Sequence, residues 1–512
     1  MELYNEKDLA LFKDKAPNII EKAELIKLET LDPKKSEIKA IVDILLDFIR
    51  EKKRKIYGGY AVNLLIKDKN PRDVFYKEHD YPDIEFYSPQ PLQDLIHLAN
   101  LYHKKGYPYV SGKAAQHLET YTLFINMKNY CDISYVPWDI NKKIPFKLVN
   151  GLTLTHPYFM TIDYMRIFTD PLNSYKQRLE KAFKRFYLLQ KYYPLPNNTN
   201  NSIKLDNNNA ADGNDINKLI SKDIENFIIN NPNVIASGWM VYNKYIDICQ
   251  IKDKNIKKVN IPYYEFTSIN YATDATGLID MLKKKYPEQS DKITYQEFYP
   301  FFQFLGFSVK IQYNGRDIAH IYHHNKVCRS YKRIQLEGGP NYVNIASFNM
   351  MLLMLLSQIM KYRMDNLKRE IDNNYTMISH IIKMRDFYLK QRNKSIFDDT
   401  VFQEFVPQCI GETMDISREN RLLGLSNLKL GKKFRFEYYP DRKNNFNPKS
   451  FGFAKSSGEP IKSVKNLKLF KENKETYIPK TEEEDDDEVF EKEAGEEEAE
   501  VGNEAGEMGE TV

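Results

Sequence analysis

A short sequence pattern occurs twice in this chain, once in each half. The matching segments are residues 56–62 (IYGGYAV) with 235–241 (IASGWMV), and residues 83–88 (DIEFYS) with 263–268 (YYEFTS). Gly59 lies 26 positions before Glu85, and Gly238 lies 27 positions before Glu265. Self-similarity of this kind is typical of an internal duplication. We therefore predict that one fold is built twice along the chain.

The two copies differ at one acidic position. Asp83 of the first copy is replaced by Tyr263 in the second, so we predict that the second copy is catalytically silent. Residues 197–215 are polar and rich in asparagine, which is typical of a linker or an insertion between domains. The predicted units are residues 1–196, the linker 197–215, a second domain at 216–474 with a basic and aromatic C-terminal region, and an acidic tail at 475–512.

Hydrophobic periodicity predicts an α+β fold with mixed sheets flanked by helices. Helical spacing at residues 35–53 is followed by an extended segment, the glycine pair Gly58-Gly59, and a second helix beginning near Tyr60. Further elements are predicted as a strand at 83–87, a helix at 91–105, strands at 121–126 and 131–136, and a basic helical region at 160–193. In the second copy, Asn314-Gly315 is a strong signal for a two-residue hairpin turn.

The net charge of +4 conceals an uneven distribution. Residues 481–512 hold sixteen Asp or Glu and one Lys, a charge of −15, so the rest of the chain carries +19. A body this basic attracts polyanions such as RNA, because phosphates that become neutralised release counterions. The alternative is that lysine is simply common in a sequence rich in Asn, Lys and Ile. The acidic run at 482–488 predicts a disordered tail.

Three carboxylates carry the predicted chemistry. Asp83 and Glu85 are two residues apart on a predicted strand, so their side chains project from the same face. Asp132 lies on another predicted strand that can neighbour the first. Converging carboxylates repel one another unless cations lie between them, and Mg²⁺ suits such an all-oxygen ligand set. We therefore predict that these residues hold two divalent ions, Mg²⁺ or Mn²⁺, of the kind that catalyse in-line displacement at phosphorus.

The glycine pair is the second part of the predicted site. Gly58 and Gly59 remove side chains where the backbone must approach a triphosphate, and the helix that follows offers its positive N-terminus. Each signal also has an ordinary explanation, since a glycine pair can be a plain turn and alternating acids can line a solvated strand face. The order of the elements favours a nucleotide site.

These residues resemble a known catalytic pattern. Residues 57–59 (YGG), 83–85 (DIE) and Asp132 are similar to the motifs of the DNA polymerase β-like nucleotidyltransferase superfamily, although the glycine pair stands farther from the first Asp than is usual. The basic segment 162–186 looks like the segment after the third carboxylate in poly(A) polymerase catalytic subunits of large nucleocytoplasmic DNA viruses, above all the giant-virus, mimivirus-like members. The resemblance covers roughly residues 35–470.

The resemblance implies a template-independent enzyme that adds adenylate from ATP to the 3′ end of single-stranded RNA during mRNA polyadenylation. It implies two nucleotidyltransferase-like domains, of which the second is silent. It also implies that Ser174, Arg178 and Lys181 contact the triphosphate, although a basic helix face in contact with solvent is the alternative. Action in the virion or the host cytoplasm, and self-association as a homodimer, follow from the same resemblance.

Other interpretations stay open at this point. A terminal uridylyltransferase would use the same chemistry, a non-catalytic RNA-binding module would leave the carboxylates unused, and a small-molecule nucleotidyltransferase would not need the basic body. The four cysteines are scattered, which predicts no disulfide framework. The longest apolar stretch, residues 350–356, is too short to cross a bilayer. The cluster of His320, His323, His324 and Cys328 lacks the usual spacing of zinc ligands.

Overall fold

The computed structural model describes residues 4–30, 35–77, 80–205, 215–324, 327–336, 341–413, 415–429, 435–442, 453–462 and 467–469. The predicted acidic tail and residues 206–214 of the predicted linker lie outside the described residues. Within the described ranges, none of the helices combines the length and the apolar character that a membrane crossing requires.

The first half forms a mixed sheet with helices against it. Its elements are α1 (Glu6–Thr30), α2 (Lys35–Glu51), β1 (Lys55–Tyr57), α3 (Gly58–Lys69), a 3₁₀ turn (Pro71–Asp73), β2 (Ile84–Ser88), α4 (Pro91–Lys104), β3 (Ser111–Ala114), β4 (Thr120–Ile125), β5 (Lys128–Tyr135), α5 (Trp138–Lys143), β6 (Phe146–Val149), β7 (Leu152–Thr155), α6 (Pro157–Phe168) and α7 (Pro171–Tyr192). The predicted elements are confirmed in type and order. The predicted basic helical region is two helices, since Pro171 begins a new one.

The second half repeats this series of elements. It comprises α8 (Asp215–Asn230), β8 (Val234–Ser237), α9 (Gly238–Cys249), β9 (Tyr264–Ser268), α10 (Tyr271–Lys285), a 3₁₀ turn (Pro287–Lys292), β10 (Ile293–Phe298), β11 (Ser308–Tyr313), β12 (Arg316–His323), β13 (Arg329–Gln335), β14 (Tyr342–Ala346), α11 (Phe348–Met364), α12 (Lys368–Gln391), β15 (Cys409–Ile410), α13 (Ile416–Lys429) and β16 (Glu437–Tyr438).

The strand order shows that the chain contains one topology twice. The first sheet runs β3-β4-β5-β2-β1-β7-β6, and the second runs β10-β11-β12-β9-β8-β14-β13, so each strand has its counterpart seven strands later. The parallel pairs also correspond, since β2–β5 and β1–β7 match β9–β12 and β8–β14. The predicted α+β fold with two related units is therefore confirmed.

The cores follow from the hydrophobic patterns of the helices. In α2, Ile38, Ile41, Leu45 and Ile49 recur at helical spacing and are all buried. Helix α11 is buried around its whole circumference from Phe348 to Met360, because it packs against both α12 and α6 of the first unit. The two units therefore share an apolar interface beside the first sheet.

The described part of the C-terminal segment, residues 435–442, 453–462 and 467–469, contacts both units. Strand β16 pairs with β3 at the edge of the first sheet, and Phe453 stacks on Tyr135 with ring centroids 4.1 Å apart. Pro460 then pairs with Phe298 at the end of β10 in the second sheet. This arrangement differs from the predicted boundary, which placed the whole segment in the second domain. A two-residue strand carries no local signal for the sheet edge that it will join.

One disulfide bond corrects the prediction from cysteine spacing. Cys328 and Cys409 are 81 residues apart in sequence and are bonded, with Cα atoms 5.3 Å apart. The bond forms where β15 pairs with β13, which places Cys409 opposite Ser330. Because this pairing is non-local, spacing along the chain could not reveal it.

Candidate active site

Two of the predicted carboxylates are neighbours in the first sheet. Glu85 on β2 lies directly opposite Asp132 on the parallel strand β5, so their side chains share one face. Asp83 immediately precedes β2 and is exposed, and its position two residues before Glu85 gives it the same face. The structure therefore brings all three predicted acids together at one end of the sheet.

The negative charges of these three acids repel one another. Burial, together with the nearby charges of Asp83 and Asp132, raises the pKa of Glu85 to about 7, although the Gly59 N–H donates a hydrogen bond at 3.3 Å that lowers it. Burial also raises the pKa of Asp132, while the Thr122 hydroxyl donates to its carboxylate at 2.5 Å and lowers that pKa. This repulsion is what a divalent cation would relieve.

The three carboxylates are suitable ligands for a divalent cation, but their side chains are not yet positioned to bind one. Among the described residues, no three His, Cys, Asp or Glu side chains already form a group that could hold an ion. Asp83 is exposed, so its side chain can turn towards the half-buried Glu85 and Asp132. Carboxylate oxygens in this number are the ligands that Mg²⁺ and Mn²⁺ prefer.

The two glycines begin α3 beside the carboxylates. Gly58 has φ +70°, and a Cβ there would lie 1.8 Å from Glu85 Oε2, so only glycine allows the strand and helix to approach this closely. A Cβ on Gly59 would lie 2.6 Å from Arg185 Nη1 and 2.8 Å from the Tyr76 hydroxyl. The two glycines therefore allow the start of α3 to lie close to both Glu85 and Arg185.

The predicted nucleotide-binding residues of α7 fall on one stripe of the helix. Ser174, Arg178 and Lys181 have a spacing of four and three residues, and Arg185 continues the stripe four residues later. Ser174 is buried, Lys181 is exposed, and Arg178 Nη2 lies 3.2 Å from His117 Nε2. Ser174 is eleven residues from Arg185, or roughly 16 Å along the helix axis. Of these four residues, Arg185 is the one whose side chain contacts the glycine pair. Its position on the same helical stripe as Ser174, Arg178 and Lys181 is the sequence pattern that could have identified it.

Two family models match the chain. The model of the poly(A) polymerase catalytic subunit matches residues 43–174, and the model of the C-terminal part of the mimivirus (APMV) poly(A) polymerase catalytic subunit matches residues 158–472. A protein of Acanthamoeba polyphaga mimivirus assigned as a poly(A) polymerase catalytic subunit is 35% identical over 500 residues, covering 91% of this chain and 84% of that protein. The chain belongs to the poly(A) polymerase catalytic subunit family.

This poly(A) polymerase is also similar in structure to the Megavirus polyadenylate synthase, with a TM-score of 0.84 and 36% identity over 91% of this chain and 94% of that one. A poly(A) polymerase catalytic subunit assigned in African swine fever virus (isolate Pig/Kenya/KEN-50/1950) is 30% identical over 166 residues, covering 31% of this chain and 34% of that protein. The resemblance to viral, mimivirus-like poly(A) polymerases that the residues indicated is confirmed.

The second unit of this poly(A) polymerase keeps the scaffold of the site but only one of its three acids. Glu265 on β9 lies opposite His320 on β12, which is the relation of Glu85 to Asp132. Tyr263 takes the place of Asp83 and stacks on His320, with ring centroids 4.0 Å apart. An aromatic pair therefore occupies the positions of two carboxylates.

The structure also corrects the alignment of the two copies. A Cβ on Gly238, with φ +61°, would lie 1.8 Å from Glu265 Oε2, which is the relation of Gly58 to Glu85. Gly238 therefore corresponds to Gly58 rather than to Gly59, and Trp239 stands at the position of Gly59. A sequence match of this length cannot distinguish a shift of one residue inside a turn.

An ion pair that the sequence did not single out also faces the site. Asp163 and Arg166 lie one turn apart on α6, with Arg166 Nη1 3.0 Å from Asp163 Oδ1. The charge of Asp163 contributes to the raised pKa of Glu85, and Arg166 also donates to Gln303 of the second unit at 3.0 Å. No local pattern distinguishes this pair from an ordinary surface ion pair on a helix.

Proposed function

We propose that this poly(A) polymerase transfers adenylate from ATP to the 3′ hydroxyl of single-stranded RNA, without a template, in mRNA polyadenylation. The observation that carries the proposal is the grouping of Asp83, Glu85 and Asp132 on one sheet face beside Gly58 and Gly59. The basic body of the chain supports a polyanionic substrate. Membership of the family supports adenylate as the group that is transferred.

In this proposal Asp83, Glu85 and Asp132 would hold two divalent ions, Mg²⁺ or Mn²⁺. When bound, the ions supply charge neutralisation at the hydroxyl and at the pyrophosphate that leaves. Thr122 holds the Asp132 carboxylate in place through its hydrogen bond. The N-terminus of α3 offers backbone N–H groups to the triphosphate, with Ser174, Arg178 and Lys181 as the further contacts predicted from sequence.

The deciding experiment measures extension of a labelled single-stranded RNA with ATP, UTP, CTP or GTP in Mg²⁺ or Mn²⁺. We expect extension with ATP and a loss of more than about 100-fold in Asp83→Ala, since even changes to residues behind metal ligands cost 10- to 100-fold. The internal duplication supplies a matched pair, because Glu85→Gln removes a carboxylate of the site and Glu265→Gln removes its counterpart. We expect only the first to abolish extension.

The alternatives predict different outcomes of the same assay. Preference for UTP would identify a terminal uridylyltransferase. A folded wild-type protein that binds RNA and extends nothing would identify a non-catalytic RNA-binding module. Equal loss in Glu85→Gln and Glu265→Gln would overturn the assignment of the second unit as silent.

The proposal also includes a homodimer. Helix α1 exposes Leu9, Phe12, Ile19 and Ile26, which fall at heptad positions and form an apolar stripe on a surface helix. A second copy of α1 is the partner that this stripe would fit. Light scattering on wild type and on a Leu9→Glu, Ile19→Glu variant would measure the dimer and its loss.

We place the action of the enzyme in the virion or the host cytoplasm, because the relatives are viral proteins. The Cys328–Cys409 bond favours the virion for the oxidised form, since the cytosol keeps thiols reduced.

A further inference from the structure

We infer that Arg185 binds the triphosphate of the incoming nucleotide at the glycine pair, held ready by Tyr76 and Phe75. The inference rests on the proposed function, and it names a phosphate-binding residue beyond those predicted from sequence. Its basis is a guanidinium group that lies against two aromatic rings and has no carboxylate partner among the residues that the structure describes.

The surroundings of Arg185 leave its charge available for an anion. Arg185 is half-buried, and none of the carboxylates in the described ranges lies within ion-pair distance of it. Its Nη1 approaches the position where Gly59 has no side chain, at the first turn of α3. Backbone N–H groups at a helix start and a planar guanidinium are the two groups that bind phosphate best in proteins.

Aromatic contacts fix the guanidinium in this position. Its Cζ lies 4.6 Å from the ring centroid of Phe75 and 5.1 Å from that of Tyr76, and Nη2 donates to the Tyr76 hydroxyl at 2.8 Å. Asn63 Oδ1 accepts from the N–H groups of Phe75 and Tyr76, at 2.9 and 3.0 Å. Because Asn63 belongs to α3, the helix that begins at the glycine pair also positions the residues that hold Arg185.

The second unit serves as an internal comparison. Trp239 stands where the first unit has Gly59, and its side chain is buried. Tyr263 in turn replaces Asp83. The space that admits Arg185 is therefore open in the unit with three acids, and a side chain fills it in the unit where Tyr263 and His320 replace two of them.

A comparison of ATP and AMP binding tests this role directly. In Mg²⁺ without RNA, we expect Arg185→Ala to weaken ATP binding roughly 10- to 100-fold, as charge-assisted contacts do, and to leave AMP binding unchanged. Arg185→Lys keeps the charge and should restore part of the difference. Tyr76→Phe keeps the ring and removes one hydrogen bond, so its effect should be smaller and in the same direction.

Steady-state kinetics complete the test. In Arg185→Ala we expect the KM for ATP to rise while the KM for RNA stays the same, and Lys184→Ala is the control because Lys184 is exposed and paired with Glu180 on the same helix. Equal weakening of ATP and AMP, or weaker RNA binding alone, would overturn the inference. A wild-type protein that extends no RNA would instead contradict the proposed function, so the two failures are distinguishable.

Discussion

At the scale of single residues, the glycine that begins the first helix of each unit shows how strictly the backbone is constrained. Gly58 and Gly238 both have positive φ, and both face a glutamate carboxylate at a distance that excludes any Cβ. Glycine therefore has the same geometry in the unit with three acids and in the unit that keeps only the glutamate. The shared turn is therefore a property of the fold, while in the proposed function activity depends on the acids around it.

Gly58→Ala should remove activity as well as stability. The new Cβ would lie 1.8 Å from Glu85 Oε2, so the carboxylate must move away from Asp132, in addition to a backbone cost of about 1–2 kcal/mol for the left-handed conformation. We expect RNA extension to fall by more than about 100-fold, as for loss of a metal ligand. Extension rates and thermal unfolding measure the two effects.

Substitutions at two further glycines distinguish the displacement of Glu85 from the backbone strain. Gly238→Ala makes the same clash with Glu265 in the second unit, so it should lower stability and leave the carboxylates of the first unit in place. Gly151 has φ +74°, and a Cβ added there would lie no closer than 3.8 Å to its nearest neighbour, Arg50 Cδ. Gly151→Ala therefore measures the effect of backbone strain alone. If all three variants lost activity equally, a local effect on Glu85 would be refuted.

At the scale of elements, the helix that carries Asp163 and Arg166 begins with an unusual cap. His156 precedes α6, and its Nδ1 accepts a hydrogen bond from the Tyr158 N–H at 3.2 Å. Burial and, to a smaller extent, the charges of Lys147 and Arg363 lower the pKa of His156 to about 4. The imidazole must be neutral to accept this hydrogen bond, so the stability of the first turn of α6 depends on pH.

His156→Asn should flatten the pH dependence of stability. The unfolded chain binds a proton at His156 below about pH 6.5, and the folded chain does not until about pH 4, so stability is complete above pH 6.5 and falls as the pH drops through this window. The loss is at most about 1.4 kcal/mol per pH unit for one group. Asparagine caps a helix equally well and does not titrate.

Denaturant unfolding of wild type and His156→Asn at pH 7 and pH 4.5 would measure the difference. We expect the two proteins to differ in how much stability they lose between these values, with the larger loss in wild type. Parallel profiles would show that the imidazole does not titrate as its surroundings indicate.

At the scale of the whole molecule, contacts that are remote in sequence join the two units and the C-terminal segment. The backbone N–H groups of Lys468 and Leu469 donate to the buried Glu297 carboxylate at 2.8 and 3.1 Å. The Cys328–Cys409 bond fixes the segment that leads into α13, and Asn420 of that helix donates to a backbone carbonyl in the loop before β4. The second unit thus supports the active unit from several sides.

Removal of the disulfide should destabilise the protein measurably. Cys409→Ser should lower the free energy of unfolding by about 2–4 kcal/mol, because the bond closes a long loop in the unfolded chain. A reducing agent should lower the melting temperature of wild type and have no effect on the variant. An unchanged melting temperature of wild type under reduction would contradict this expectation.

The sequence by itself determined the features that depend on neighbouring residues. The alternation of Asp83, Ile84 and Glu85 placed both acids on one face, the Asn314-Gly315 turn formed as predicted, and the repeated pattern indicated the duplication that the strand order confirms. These features are local because strand period and turn conformation depend on residues a few positions apart.

Only the tertiary structure decided which distant residues meet. It placed Asp132 beside Glu85, brought Arg185 from the far end of α7 to the glycine pair, joined Cys328 to Cys409, and extended the first sheet with β16. The physical reason is that such contacts depend on how helices and strands pack against one another, and many packings are compatible with the same local periodicity.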